Sequence, residues 1–142
     1  MLGTIPFNKN SMEKKRPLSF AKKIQQRKKA VLYELLPPPK QLSENDIDTS
    51  LAFFASMVKD FAIDAINIPE VREETRGGNR TSTEIVKVEP RVVCSYLQKH
   101  GITNLIINRP IVYLPWKKQK AWLQETHDKY SIHNYILVGG ES

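Results

Sequence analysis

Four short apolar runs, at 30–36, 64–69, 104–108 and 134–138, alternate with three longer segments of helical periodicity. Each run has the length of a strand and is bounded by proline, glycine or polar residues, as buried strands are. The third is read as extending through Ile111-Val112-Tyr113-Leu114. Between the first two, 43–62 opens on Ser43 with Asp46 three residues on, a pattern resembling a capping box. Its Ile47, Leu51, Phe54, Ala55, Val58 and Phe61 step by three and four and form one apolar face. The segment 89–100 places Pro90 at the first helical position and Gly101 at the stop. The third, 115–130, offers Trp116, Ala121, Trp122 and Leu123 for packing. Strand, helix, strand in short alternation means parallel strands joined by right-handed crossovers, hence an α/β protein.

At 142 residues the chain can bury a core of its own. A parallel sheet of four strands requires helices on both faces or closure into a barrel. After the fourth run come only Gly139-Gly140-Glu141-Ser142, with no helical segment. The expectation is therefore the N-terminal half of a larger α/β domain, or a chain whose open edges find a partner chain or a second copy. A compact four-stranded domain is the plainer alternative.

The first run carries a carboxylate: Val31-Leu32-Tyr33-Glu34-Leu35-Leu36, stopped by Pro37-Pro38-Pro39. A buried carboxylate costs several kcal/mol unless it is paired, hydrogen-bonded or protonated. Glu34 is thus either a working acid, or a residue facing water or salt-bridged to a basic side chain.

Tyr33-Glu34-Leu35-Leu36-Pro37-Pro38 resembles the first-strand motif of the methylenetetrahydrofolate reductases, an aromatic-Glu-hydrophobic-hydrophobic-Pro-Pro run that opens a (β/α)8 barrel. Ala65-Ile66-Asn67-Ile68-Pro69-Glu70 looks like the second strand of divergent members. Ile136-Leu137-Val138-Gly139-Gly140-Glu141-Ser142 looks like the end of the fourth. The likeness covers residues 20–142, about four βα units of a partial barrel. It implies two parts: a basic arm with a short capping helix at 1–29, and the N-terminal half of a barrel at 30–142.

What the resemblance further implies is an FAD-linked oxidoreductase of one-carbon metabolism, on the route to methionine, that reduces a methylene group carried by folate or a related pterin. Glu34 takes the role of general acid; a carboxylate at an apolar barrel mouth has its charged form disfavoured, which suits an acid. Working residues of such barrels sit at the C-terminal ends of strands. Asn67, Glu70, Tyr113 (or Asn108), Gly139, Gly140 and Glu141 fall there and are the expected cofactor-binding residues. Glu141 stands where the family has a flavin-tuning Asp. The chain departs from the family in having Ile68-Pro69-Glu70-Val71 in place of a Thr-Tyr-Gly type sequence and no His in 111–114. These departures bear on the flavin more than on the fold. Half a barrel alone is expected to be inactive.

The charge-mixed stretch 72–83 is long enough for a lid, and Arg72, Arg76 and Arg80 suit a phosphate or a glutamate tail; a plain surface loop is the alternative. Gly139-Gly140 lacks the context of a phosphate-binding glycine motif.

Charge separates the chain. Residues 1–30 hold nine basic side chains against Glu13 alone, a net of +8 against +7 for the whole, so the remainder carries −1. Such an arm can meet nucleic acid or an anionic surface. No interleaved aromatics and no zinc, helix-turn-helix or RNA-binding signature accompany it. The preferred reading is therefore a solvated leader and a short helix, 18–26, whose Leu18, Ala21 and Ile24 cap the sheet's lower end. Cys94 is the sole cysteine, which excludes an intrachain disulfide, fits a reducing cytoplasm and reads as a core residue. His100, His127 and His133 show no metal-ligand spacing. No run reaches the roughly 18 apolar residues of a membrane span, and the amino terminus lacks the apolar core of a secretory signal. Besides the reductase reading, a non-catalytic α/β interaction module stands second, and a nucleic-acid binder third.

Overall fold

A computed structural model of the protein describes residues 19–71 and 86–139. The order of elements is α1 (Phe20–Gln25), β1 (Leu32–Glu34), α2 (Glu44–Val58), β2 (Ala65–Pro69), α3 (Pro90–Lys99), β3 (Leu105–Pro110), α4 (Trp116–Tyr130) and β4 (Asn134–Val138). The four strands form one sheet in sequential order, β1-β2-β3-β4, and every pair is parallel. This is the α/β architecture that the alternation of runs predicts.

The helices begin where their caps dictate. Ser43 Oγ accepts from the Asp46 N–H at 3.1 Å and donates to the Asp46 carboxylate at 2.7 Å, so the expected cap of α2 is present. Pro90 opens α3 with Glu89 as its cap. Gly101, at φ +86°, ends that helix in a left-handed conformation that a side chain would strain.

One layer of helices packs on the sheet, with α2 against α3 and α3 against α4. Side chains alternate between the faces of a strand. Ile66, Ile68, Leu105 and Ile107 therefore point together into the helix layer, where they meet Ile47, Leu51, Phe54 and Val58 of α2 and Val93, Cys94 and Leu97 of α3. Fully burying such a side chain contributes about 1.5–3 kcal/mol. The other face presents Glu34, Asn67, Asn108 and Ile136 by the same register.

Several expectations need correction. The first run is not a buried strand: β1 is three residues long, lies at the sheet edge and is exposed throughout. The third strand stops at Pro110 and Tyr113 lies in a turn beyond it. Helix α2 ends at Val58, which leaves Phe61 outside it and 64% exposed. Trp116 is 67% exposed and Ala121 is exposed as well, so neither covers the sheet. The buried residues of α4 are Gln119 and Thr126, because α4 lies over a guanidinium, described below. In α1, Ala21 and Ile24 are exposed and cap nothing. That helix is tied down instead by Lys23, whose ammonium lies 2.5 Å from the Asp64 carboxylate, which also accepts the Val31 N–H at 2.8 Å.

The triple proline has a further role. After Glu34 the chain pairs antiparallel with 86–88: the Val88 N–H donates to the Pro38 carbonyl at 2.9 Å, and Lys40 N–H to the Val86 carbonyl at 2.8 Å. The loop leaving β1 is thereby fastened to the segment that leads into α3.

Candidate functional site

The C-terminal ends of β1 and β2 bring two of the expected residues together. Register places Glu34 beside Asn67, so both point to the face opposite the helices. The Asn67 amide donates from Nδ2 to Glu34 Oε2 at 3.0 Å. Glu34 is exposed, whereas Asn67 is buried at 6% exposure. Asn67 Oδ1 is buried with no hydrogen-bond partner. Buried polar atoms are nearly always paired, so this acceptor is the site's most unusual atom. Glu34 lacks the apolar enclosure that its place in the sequence predicts, since β1 is an edge strand.

The remaining expected residues are placed differently. Glu70 follows β2 and is engaged by Arg109, whose Nη1 donates to Glu70 Oε2 at 2.5 Å. Arg109 is 3% exposed and lies under α4: its Nε donates to Gln119 Oε1 at 3.0 Å, and its guanidinium sits 3.8 Å from the Trp122 ring centre. Gln119 in turn donates to the Ile111 carbonyl at 3.0 Å. Glu70 thus belongs to a cluster on the helix side, away from Glu34 and Asn67. Tyr113 is 54% exposed in the turn after β3. Gly139 follows β4, with no atom near the position a Cβ would take. Arg72, Arg76, Arg80, Gly140 and Glu141 lie outside the described residues.

Sequence reasoning missed the Arg109 cluster. The signal was present: Asn108-Arg109-Pro110 puts a cation at the end of an otherwise apolar strand, as Glu34 puts an anion at the end of another. A second guanidinium, Arg91, lies 4.9 Å from the Trp122 ring centre and 5.0 Å from that of Tyr130. Burial opposes its charge, but the Glu89 carboxylate beside it, with Glu125, more than offsets this, and its pKa is raised above the ordinary value. Trp122 is therefore flanked by two cations, an arrangement that favours the ring's negative face.

Cys94 is fully buried, and burial pushes its thiol up to about 12, which makes it a packing residue rather than a nucleophile. Among the described residues no cluster of three or more His, Cys, Asp or Glu side chains can hold a metal ion. No helix among them is long and apolar enough to cross a membrane. Chemically, the Glu34–Asn67 pair offers a solvent-accessible carboxylate steadied by an amide N–H from the next strand. No protein-family model matches the chain, and no curated protein matches it.

Proposed function

We propose that the chain is the N-terminal half of a (β/α)8 barrel of the methylenetetrahydrofolate reductase type. In the completed protein it would reduce the methylene group of a folate-like pterin with FAD. The observation that carries this reading is Glu34 at the C-terminal end of β1, hydrogen-bonded to Asn67 on the next strand, on the sheet face free of α2–α4. Sequential parallel strands with their helices in one layer are compatible with such a barrel. Glu34 would supply the proton to the pterin as its methylene group is reduced, and Asn67 would hold the carboxyl group in place. When bound and first reduced by an external electron donor, FAD would supply the hydride that balances this proton. Asn67 and Gly139 are the described candidates to approach it, with Gly140 and Glu141 proposed on resemblance alone.

The test is to express the chain together with whatever coding sequence follows Ser142, record the visible spectrum, and assay reduction of methylenetetrahydrofolate. A yellow protein whose turnover falls about 10²–10⁴-fold in Glu34→Gln is the expected result. Unchanged turnover in that variant would sink the proposal.

A second reading, a non-catalytic α/β module completed by a partner chain or a second copy, is favoured by a different observation. β1 and β4 end the sheet, and their edges carry exposed Val31, Leu32, Tyr33, Ile136, Leu137 and Val138. Beside β1 a groove of about 390 Å³ runs between Leu32, Tyr33, Phe54, Met57 and Phe61. A colourless, self-associating product would support this module in place of the reductase.

A further inference from the structure

We propose, on the reading of the chain as a module completed by a partner chain, that the groove between β1 and α2 seats one amphipathic helix of an acidic partner.

The groove takes the next place in the helix layer. In that layer α2 lies against α3, and α3 against α4. The α3 side of α2 is marked by Asp48, which meets Lys99 and His100 at the end of α3. Met57 follows Asp48 by nine positions, about two and a half turns, and so lies on the opposite side. That side is apolar too. Met57 and Phe61 line the groove with Val31, Leu32 and Tyr33, and Phe53, 66% exposed, stands one turn before Met57.

A helix that covers a core and otherwise meets water carries one apolar stripe. Helix α2 has a buried one, Ile47, Leu51, Phe54, Ala55 and Val58, and beside it a second, exposed one that Phe53 and Met57 begin and Phe61 continues past the helix end. Contiguous exposed apolar surface of this kind marks an interaction site. A trough walled by a strand edge and a helix suits a helix whose anchors recur at i, i+3, i+4 and i+7.

Charge selects the occupant. The chain enters the groove wall at Val31 directly from Arg27-Lys28-Lys29-Ala30. Arg27, Lys28 and Lys29 are exposed, and none of them forms an ion pair among the described residues. Of the acids nearest in sequence to this end of the groove, Asp64 is engaged by Lys23 and Asp60 is offset by its neighbour Lys59. A helix lying in the same sense as α2 brings its C-terminal end, with its negative partial charge, to these cations, and acidic side chains in its last turns strengthen the match. A second copy, at +7 overall, carries an excess of the wrong sign.

The experiment uses the full chain and three fluorescent peptides as long as α2, 15 residues. The first has leucine at i, i+3, i+4 and i+7 with glutamate elsewhere; the second has lysine for glutamate; the third has the composition of the first in scrambled order. Anisotropy should show saturable binding of the first, about fivefold weaker binding of the second, and none of the third. Phe53→Ser combined with Phe61→Ser should weaken the first about tenfold or more. Both side chains are exposed, so the fold does not depend on them. Lys28→Glu combined with Lys29→Glu should reverse the preference between the first two peptides. No binding of the first peptide, equal binding of the scrambled one, or indifference to both double variants overturns the proposal. Self-association abolished by Phe53→Ser with Phe61→Ser would overturn it in favour of a second copy, and preferential binding to phosphatidylserine vesicles in favour of a membrane surface. Peptide binding by a chain whose completed form is yellow and reduces methylenetetrahydrofolate would sink the module reading alone; a colourless chain that ignores the peptides would sink this proposal alone.

Discussion

The guanidinium of Arg109 lies 3.8 Å from the centre of the Trp122 ring and donates to Gln119 Oε1 at 3.0 Å, so the end of β3 is clamped to α4 by a cation. Its carboxylate partner, Glu70, follows β2, and one buried charge therefore joins two strands and a helix. Breaking a buried ion pair by deleting one partner costs about 3–5 kcal/mol, and Arg109 also loses its contacts to Gln119 and Trp122. Arg109→Ala should therefore lower the unfolding free energy by about 3 kcal/mol in urea titrations. Arg109→Met combined with Glu70→Gln, which removes both charges, should cost less than Arg109→Ala alone. Wild-type stability for Arg109→Ala would show that the clamp contributes nothing.

Acidification should loosen α1. The Lys23 ammonium and the Val31 N–H both stabilise the charged form of Asp64 and hold its carboxyl below the ordinary 3.8. A depressed folded value contributes stability that is fully present above the unfolded one and disappears as the pH falls through the folded one. Docking of α1 should thus be complete at neutral pH and lost on the acid side of pH 3.8. Asp64→Asn should release it at pH 7 and matter little near the acid limit. Amide hydrogen exchange in 20–31 measures this directly, and identical protection in Asp64→Asn at pH 7 would refute it.

At the opposite end of the scale stands Cys94. Burial raises its thiol from 9.0 to about 12, so the unfolded chain ionises first as the solution turns alkaline. Its contribution to stability is full below pH 9.0 and declines between there and about pH 12. The native chain should resist a thiol reagent at pH 8, and should react fully once urea unfolds it. Rapid labelling of the native protein would mean that the core opens at that helix.

Among the described residues β1 and β4 have no strand on their outer edges, which should make the fold associate. Parallel edge strands with exposed apolar side chains are templates for further pairing. Leu32 is 43% exposed on one edge strand and Leu137 46% on the other. Sedimentation of the chain should show concentration-dependent association, weakened by Leu32→Lys and by Leu137→Lys, since an edge lysine opposes strand addition. A monomer at every concentration would remove the observation that favours the module reading.

What could be read in the sequence was what local pattern controls. Three helices and four strands followed from spacing, capping residues and proline or glycine stops, and they fixed the parallel order through the crossover rule. What lay out of reach depended on position in the finished sheet. Val31-Leu32-Tyr33 has the composition of a buried strand, yet it forms an edge, and no periodicity distinguishes an edge from a centre. Trp116 and Trp122 look alike in the sequence. Only Trp122 lies over Arg109, because one residue's place on β3 decides which side of α4 is inside. The pairing of 38–40 with 86–88 joins segments about 48 residues apart, beyond any local signal. For the site, Glu34 stood out as a charge in an apolar run. Asn67 acquired its meaning only when register set it against Glu34.

That register yields the last prediction. Asn67 is buried, and its one side-chain hydrogen bond goes to an exposed carboxylate, while Oδ1 has no partner. A typical hydrogen bond contributes about 1 kcal/mol net, whereas a buried polar atom left unpaired costs about 1–3 kcal/mol. Replacing the amide by an apolar side chain of similar shape removes both, and the second is the larger. Asn67→Leu should therefore leave the unfolding free energy unchanged or raise it by about 1 kcal/mol. Asn67→Asp, which sets a second carboxylate against Glu34, should lower it by about 1 kcal/mol or more at neutral pH. Chemical denaturation of the three proteins side by side measures the order. If Asn67→Leu proves strongly destabilising, the amide is a structural support and its orphaned carbonyl has a partner in solution. If it is neutral or better, the sheet keeps Asn67 at a cost to its own stability, as residues retained for binding or catalysis do.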